Sequence, residues 1–257
     1  MKADALIHVV DISGSTDIQG QPVNVGTHDP LEDIKFVEEE FDLWFKEILD
    51  REWPKLVKEI DQKRAKITDG IARRFTGLGI LESQVDQVLI SMSLKTKKPQ
   101  DWTEDDIMTF LKTLRKNAKP LLIAANKADL CDDLKILEKI SEKFKVIPSS
   151  AETELLLKKA TKAELINYVP GDDNFSGKEN TQLSEQQNSA LHLAKNVLTK
   201  IQTTGIQEIL NSIIFDVLDM IIVYPVEDET KLMNKQGQVL PDARLLKKGS
   251  TAKELAF

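Results

Sequence analysis

Hydrophobic and polar positions change rhythm several times along the chain. Leu6 to Val10 is a short apolar run that ends at Asp11, and Ser13-Gly14-Ser15-Thr16-Asp17 then supplies loop chemistry, so a buried strand followed by a turn is predicted. Gln19 to Pro30 is polar, carries Gly20, Pro22, Gly26 and Pro30, and reads as a loop. From Leu31 the period lengthens: Ile34, Val37, Phe41, Leu43, Trp44, Ile48 and Leu49 recur at helical spacing. Trp53-Pro54 breaks that run, because a proline ring clashes with the preceding turn. Leu56, Ile60, Ile67, Ile71 and Phe75 predict a second helical run ended by Gly77 and Gly79, and Val85, Val88, Leu89 and Met92 a third. Thr103-Glu104-Asp105-Asp106 has the form of an N-cap with first-turn acids and opens a fourth helix through Arg115.

Pro120 to Ala125 returns to strand character, followed by a helix from Asp132 to Phe144 and a strand from Lys145 to Pro148. Helices are predicted at Glu154–Leu165, Ser184–Gln202 and Gly205–Met220, with Pro170 to Gln182 a polar loop. Ile221–Val226 reads as a strand, Asn234–Gly237 as a turn and Val239–Leu246 as its continuation. Strands alternating with helices imply an α/β fold with a parallel sheet. The all-helical stretch between two such strands is most simply an insertion.

Asn126-Lys127-Ala128-Asp129 follows a predicted strand and precedes a predicted helix, the edge at which open α/β sheets bind ligands. The residue types suit guanine. Its Watson–Crick edge offers two adjacent donors, and one ionised carboxylate, Asp129, can accept both. Adenine has an acceptor at the equivalent ring nitrogen and no 2-amino group, so it leaves that carboxylate poorly paired. Asn126 offers an amide to the base or to neighbouring loops, and the Lys127 stem can lie over a flat base. Ser149-Ser150-Ala151 follows the next strand, where a backbone N–H near Ala151 can donate to the guanine oxygen and Ser149 can hold Asp129.

These two segments resemble the fourth and fifth motifs of P-loop GTPases, and the wider chain resembles the YchF branch of the Obg-related GTPases in its archaeal-type form. The likeness runs through Ala3 to Asp11, the helical stretch, Thr204-Gly205-Ile206-Gln207-Glu208, and the tail from Leu240-Pro241 to Phe257, which resembles the start of a TGS domain. It implies a partial, Ras-like P-loop NTPase sheet in residues 1–30 and 119–220, a helical insertion in 31–118, and the first strands of a β-grasp (TGS) domain in 221–257. It further implies a cytoplasmic nucleotide hydrolase linked to translation and the ribosome, with GTP rather than ATP as ligand because Asp129 keeps the guanine-type motif. The expected base-binding set is Asn126, Lys127, Asp129, Ser149, Ser150 and Ala151.

The phosphate-binding half is expected to be absent. No Gly-x-x-x-x-Gly-Lys-[Ser/Thr] sequence occurs. Gly171 to Gly177-Lys178 has five residues between its glycines and Glu179 in place of a hydroxyl. In the family the phosphate loop, both switches and the Mg²⁺ ligands precede the strand matched by Leu6 to Val10. The chain therefore reads as a fragment that begins inside the domain, with Mg²⁺ expected only alongside the other half. Phosphoryl transfer rests on phosphate positioning and charge stabilisation, so no catalytic residue is assigned, and binding by this chain alone is expected to be weak.

Composition narrows the rest. A net charge of −7 in 257 residues excludes a general nucleic-acid coat and gives no expectation of DNA specificity. Cys131 is the sole cysteine, so no internal disulfide can form. No apolar stretch approaches the roughly 20 residues that span a bilayer, Asp216 and Asp219 interrupting the nearest candidate, and no signal peptide precedes Leu6. His8, His28 and His192 lack metal-ligand spacing, and no metal site is expected. Glu38-Glu39-Glu40 reads as a solvated helix face, and Trp44, Trp53 and Trp102 as packing residues. Lys55, Lys58, Lys63, Arg64, Lys66, Arg73 and Arg74 form a locally basic stretch, read first as a solvated face and second as a contact for ribosomal RNA phosphates. The alternative function is a non-enzymatic helical, TGS-linked module that binds ribosome or RNA without nucleotide.

Overall fold

The computed structural model describes residues 3–178, 183–227, 230–234, 236–240 and 242–255. The chain separates into two compact units, Met1–Ile206 and Gln207–Phe257. In the first unit, β1 (Leu6–Asp11), β2 (Leu121–Asn126) and β3 (Lys145–Pro148) form a parallel sheet in the order β1-β2-β3. The register pairs Asp11 with Asn126 and Ala125 with Pro148, so the three carboxyl ends lie along one edge. Leu122 to Ala125 of the central strand are buried. β1 departs from the buried strand expected: Val9 is 62% and Ile7 38% exposed. Strand alternation puts Ile7 and Val9 on one face of β1, which is left open, while Val10 is buried on the other.

Five helices intervene between β1 and β2. Asp29 caps α1 (Pro30–Asp50) by accepting from the Leu31 N–H at 3.0 Å, with Pro30 pre-set for the first turn and Glu32 and Asp33 facing its dipole. The chain leaves helix after Asp50 and re-enters as α2 (Trp53–Asp61), with Pro54 at a position that needs no donor. The second predicted run is divided: α2 ends at Asp61 and α3 (Ile67–Arg74) starts afresh. Gln62 to Lys66 offers no large apolar side chain to bury, and Lys63 adopts a left-handed φ of 55°. Gly70 lets α3 lie directly on Leu56, because a Cβ there would collide with the Leu56 side chain. α4 (Glu82–Ser91) and α5 (Glu104–Ala118) complete the block, the latter with Thr103 and Asp106 in a reciprocal cap.

These helices share one core around Phe45, Leu49, Leu56, Ile71, Phe75, Leu89, Phe110 and Leu114. Each such side chain contributes about 1.5–3 kcal/mol through burial. Arg115 crosses from α5 to α1, its Nε 2.6 Å from Asp42 and its terminal nitrogen 2.9 Å from Glu38, with its side chain 3% exposed. A second core, Val10, Ile12, Ile34, Ile123, Ala125 and Ile140, packs on the sheet.

After β2 the helix is shorter than predicted, α6 covering Ile136–Ser141. α7 (Ala151–Lys162) and α8 (Glu185–Ile201) pack through Leu157, Ala160, Leu191, Ala194 and Leu198, beside the small ladder of β4 (Ile166–Asn167) and β5 (Ser176–Gly177). Residues 179–182 of the predicted polar loop lie outside the described residues. The predicted Gly205–Met220 helix resolves into α9 (Ile206–Asn211) and a π-helical turn over Ser212–Val217. The second unit begins within α9 and pairs β6 (Met220–Val223) with β7 (Arg244–Lys247) antiparallel. Asn234 orders its turn by accepting from the N–H groups of Gln236 and Gln238 at 3.0 and 2.9 Å. Thr251 and Glu254 cap α10 (Ala252–Leu255). Pro241, Ala256 and Phe257 of the tail lie outside the described residues.

Candidate functional site

The polar groups at the carboxyl edge of the sheet come from three loops. After β1, Asp11 turns its carboxylate back over its own loop. Oδ1 accepts from the Ser13 N–H at 3.0 Å, and Oδ2 accepts from the Ser15 and Thr16 hydroxyls at 2.8 and 2.6 Å. The Lys127 ammonium, from the loop after β2, joins the same cluster at 2.8 Å from Asp11, 3.0 Å from Ser15 and 2.8 Å from Thr16. Burial pushes the Asp11 carboxyl upward, but the hydrogen bonds from Lys127, Ser13, Thr16 and Ser15 outweigh it and hold the group well below the usual carboxylate range. Lys127 itself sits at φ 61°, a left-handed conformation held by this strut. The ammonium is thus committed to the β1 loop.

Asn126 and Ala151 meet directly. The Ala151 N–H donates to Asn126 Oδ1 at 3.0 Å, joining the loops after β2 and β3. Asn126 therefore ties loops, one of the two roles expected of it, and the N–H expected to face guanine is engaged here by the amide. Ser149 is 1% exposed and is fixed by its main chain, its N–H bonding Ala125 O at 2.8 Å and its carbonyl accepting from Ala128 at 3.1 Å. No hydrogen bond links it to the Asp129 carboxylate among the described residues. Ser150, also 1% exposed, caps α7: its hydroxyl accepts from the Thr153 N–H at 3.4 Å and donates to the Thr153 hydroxyl at 2.8 Å. Asp129 is half-buried, and its side chain makes no hydrogen bond or ion pair among the described residues. It stands on the wall of a cavity of about 510 Å³ lined also by Leu130, Glu152, Thr153, Leu193, Val197 and Lys200. The Lys200 ammonium bonds the Cys131 carbonyl from α8, and its 3.4 Å approach to the Asp129 carbonyl braces the same turn.

All six sequence-derived residues thus lie on one edge. Sequence reading missed Asp11, although a carboxylate closing a strand before Ser-Gly-Ser-Thr is the usual signature of a side chain that organises its own turn. It also missed Glu154 and Thr204, which no spacing connects. Of the seven residues of the basic stretch two are spent on neighbours: Arg73 pairs with Asp69 at 2.5 Å and Arg74 with Glu52 at 3.1 Å. Among the described residues no group of His, Cys, Asp and Glu could hold a metal ion, and no helix is long and apolar enough to cross a membrane.

A three-stranded parallel sheet with polar loops at its carboxyl edge places this unit in the α/β class, whose ligands bind at that edge. Comparison with known proteins sharpens this. Residues 124–228 match the Obg-like GTPase YGR210-like, G4 motif-containing domain. A GTP-binding protein of Methanocaldococcus jannaschii is 44% identical over 259 residues, covering 100% of this chain and 64% of that protein. A GTP-binding protein of Schizosaccharomyces pombe is 29% identical over 265 residues, covering 99% of this chain and 64% of that protein. The crystal structure of a GTP binding protein from Pyrococcus horikoshii OT3 superposes with a TM-score of 0.81 at 39% identity, over 99% of this chain and 67% of that one. The chain belongs to the Obg-like GTPase family, and it spans 64% of the length of the two curated relatives it matches.

Proposed function

We propose that this chain carries the guanine-reading half of a GTP-binding domain, with Asp129 accepting the paired donors of the base and the Asn126–Ala151 tie framing its edge. The unpaired Asp129 carboxylate at the mouth of the sheet carries this reading. Its neighbours Asp11, Glu154 and Lys127 are all committed to partners in the protein, whereas Asp129 retains its full accepting capacity. Lys127 and Ser149 act by fixing the loops, and Ser150 by capping α7. The Ala151 N–H reaches guanine once Asn126 turns its amide toward the base.

On this reading residues 1–30 and 119–220 belong to the GTP-binding domain, 31–118 to an inserted helical domain and 221–257 to the start of a TGS domain. Phosphate binding, Mg²⁺ and hydrolysis are assigned to none of these residues, among which no phosphate-loop sequence occurs. Association with the ribosome and residence in the cytoplasm follow from the family resemblance, with contact to RNA phosphates assigned to the basic face of α2 and α3. The observation behind the nucleotide reading is tested by titrating the full chain with GDP and with ADP while following backbone amide resonances. GDP is expected to shift Asn126 and Ala151 at concentrations about tenfold below those ADP requires, since one hydrogen bond to a charged group is worth roughly that factor. Asp129→Asn should erase the preference. Equal responses to both nucleotides in the wild-type chain would reject the reading.

A further inference from the structure

The loop proposed to face the base meets it through main-chain groups, and the Ser150 hydroxyl ties it to the first turn of α7. A second segment also holds it, and it arrives more than fifty residues later in sequence. The Ser150 N–H donates to the Thr204 carbonyl at 3.0 Å. The Thr204 hydroxyl donates to Glu154 Oε2 at 2.7 Å, and the Tyr168 hydroxyl donates to the same oxygen at 2.8 Å. Glu154 closes the circuit, its N–H donating to the Ser150 carbonyl at 3.1 Å in the first turn of α7. Thr204 is 0% and Glu154 5% exposed, so these bonds are sheltered from competing water. Lys158 stands 3.2 Å from Glu154 Oε1 at ion-pair distance, without the alignment of a hydrogen bond. Next to Thr204, Gly205 lies at φ 78°, and a Cβ there would strike the Pro148 carbonyl and come within 2.9 Å of Ser149 Cα. The Thr204-Gly205 backbone is therefore seated directly against the root of the loop.

We propose that Thr204, anchored on the buried Glu154, is a positioning residue for the Ser149–Ala151 loop and sets the reach of its main-chain groups toward the base. This rests on the guanine reading for its consequence and on the hydrogen-bond circuit for its geometry. Tyr168 supplies the control. It donates to the same carboxylate oxygen but has no bond to the loop, so loss of its hydroxyl removes an equivalent buried bond from the opposite side.

The experiment compares Thr204→Val, Thr204→Ser and Tyr168→Phe in the full chain. GDP is the probe, and amide hydrogen exchange at Ser150 and Ala151 is the second readout. Thr204→Val is expected to weaken GDP binding about tenfold, the scale of one buried hydrogen bond. It should also raise exchange at both amides. Thr204→Ser should restore both, and Tyr168→Phe should change neither despite a similar fall in melting temperature. The proposal is overturned if Tyr168→Phe matches Thr204→Val in both readouts, or if Thr204→Val leaves exchange at Ser150 unchanged. A wild-type chain that fails to distinguish GDP from ADP would remove the guanine reading alone. The exchange pattern of the three variants would still decide whether Thr204 positions the loop.

Discussion

The helical block between Pro30 and Ala118 and the polar edge of the sheet hold their shape by opposite means. In the block, Phe45, Leu49, Leu56, Ile71, Phe75 and Phe110 are each at most 1% exposed, and Arg115 with Asp42 is the buried ionic pair among them. Burial of that kind is non-directional, and neighbours of similar volume can replace one another at modest cost. At the edge, Asp11, Lys127, Asn126, Ser150, Glu154 and Thr204 are held by directional bonds that each require one donor and one acceptor. The block can thus tolerate redesign of its packing, whereas the edge loses geometry with any one of its members. A ligand site needs the second kind of order, because the position of a carbonyl or an N–H within a few tenths of an ångström decides whether a base is read.

The largest effect that would sharpen this contrast lies in the block, at its buried ion pair. Arg115→Ala leaves Asp42 buried without its cation, and removing one partner of a buried pair costs about 3–5 kcal/mol. Urea unfolding should show that loss in its midpoint, while the folded protein keeps its nucleotide preference, because Arg115 touches nothing at the sheet edge. Replacement by a bulky apolar residue, as in Arg115→Met, should cost less only when Asp42 and Glu38 are made neutral with it. If Arg115→Ala abolished the preference for GDP in protein that remained folded, the separation between the two regions would fail.

Gly205→Ala follows in size and reverses the pattern. The new Cβ meets main-chain atoms of Pro148 and Ser149, which cannot rotate away, and the residue must hold φ 78°. Backbone strain and overpacking together cost about 2–5 kcal/mol. Unlike the change in the block, this one should move the amide resonances of Ser149 to Ala151 and weaken GDP binding by more than its share of lost stability. An alanine variant with wild-type resonances at that loop would show that the edge yields as easily as a packed core.

The same difference governs what could be read from the amino-acid order. Ile34, Leu49, Leu56 and Ile71 announce themselves by spacing, whereas Leu43 and Trp44 share that spacing and stay exposed beside the buried Phe45, and the proline at position 54 announces the break after α1. What spacing could not reveal was the division of α2 from α3, where absence of apolar residues rather than a breaker ends the helix. The placement of Asn126, Asp129 and Ser149 at strand ends was legible because apolar runs directly precede both segments. The partners of Lys127 were not, since Asp11 lies 116 positions away and no periodicity links them. Glu154 looked like an ordinary first-turn acid of α7, and only the folded chain brings Thr204, 50 positions on, to its carboxylate. β1 read as buried because apolar content predicts burial, while which of its faces is covered depends on packing against elements distant in the chain.

Acid should divide the two regions most finely. In the folded protein Asp11 and Glu154 are both held below their ordinary carboxylate range: burial opposes this in each, but hydrogen bonds from Lys127 and the Ser13, Thr16 and Ser15 groups prevail at Asp11, and at Glu154 those from Thr204 and Tyr168 together with the nearby Lys158 ammonium. A depressed folded pKa means that the unfolded chain takes up the proton first. Their stabilising contribution is therefore present above about pH 4 and is lost as the pH falls below it. The two histidines at this end of the sheet act higher and oppose each other. Burial lowers His8, with Asp33 partly offsetting it, so its contribution to stability declines below about pH 6.5. The bond to Asp33 at 2.8 Å raises His28, whose contribution is fully present below that same value. Between about pH 6.5 and 4 the His8 contribution falls while that of His28 stays at its full value, and below about pH 4 the amides of Ser150 and Ser13 should lose protection before those of Phe110 and Leu114 in α5. Hydrogen exchange as a function of pH measures this directly, and simultaneous opening of both sets would mean that the hydrogen-bonded edge and the apolar block melt as one cooperative body.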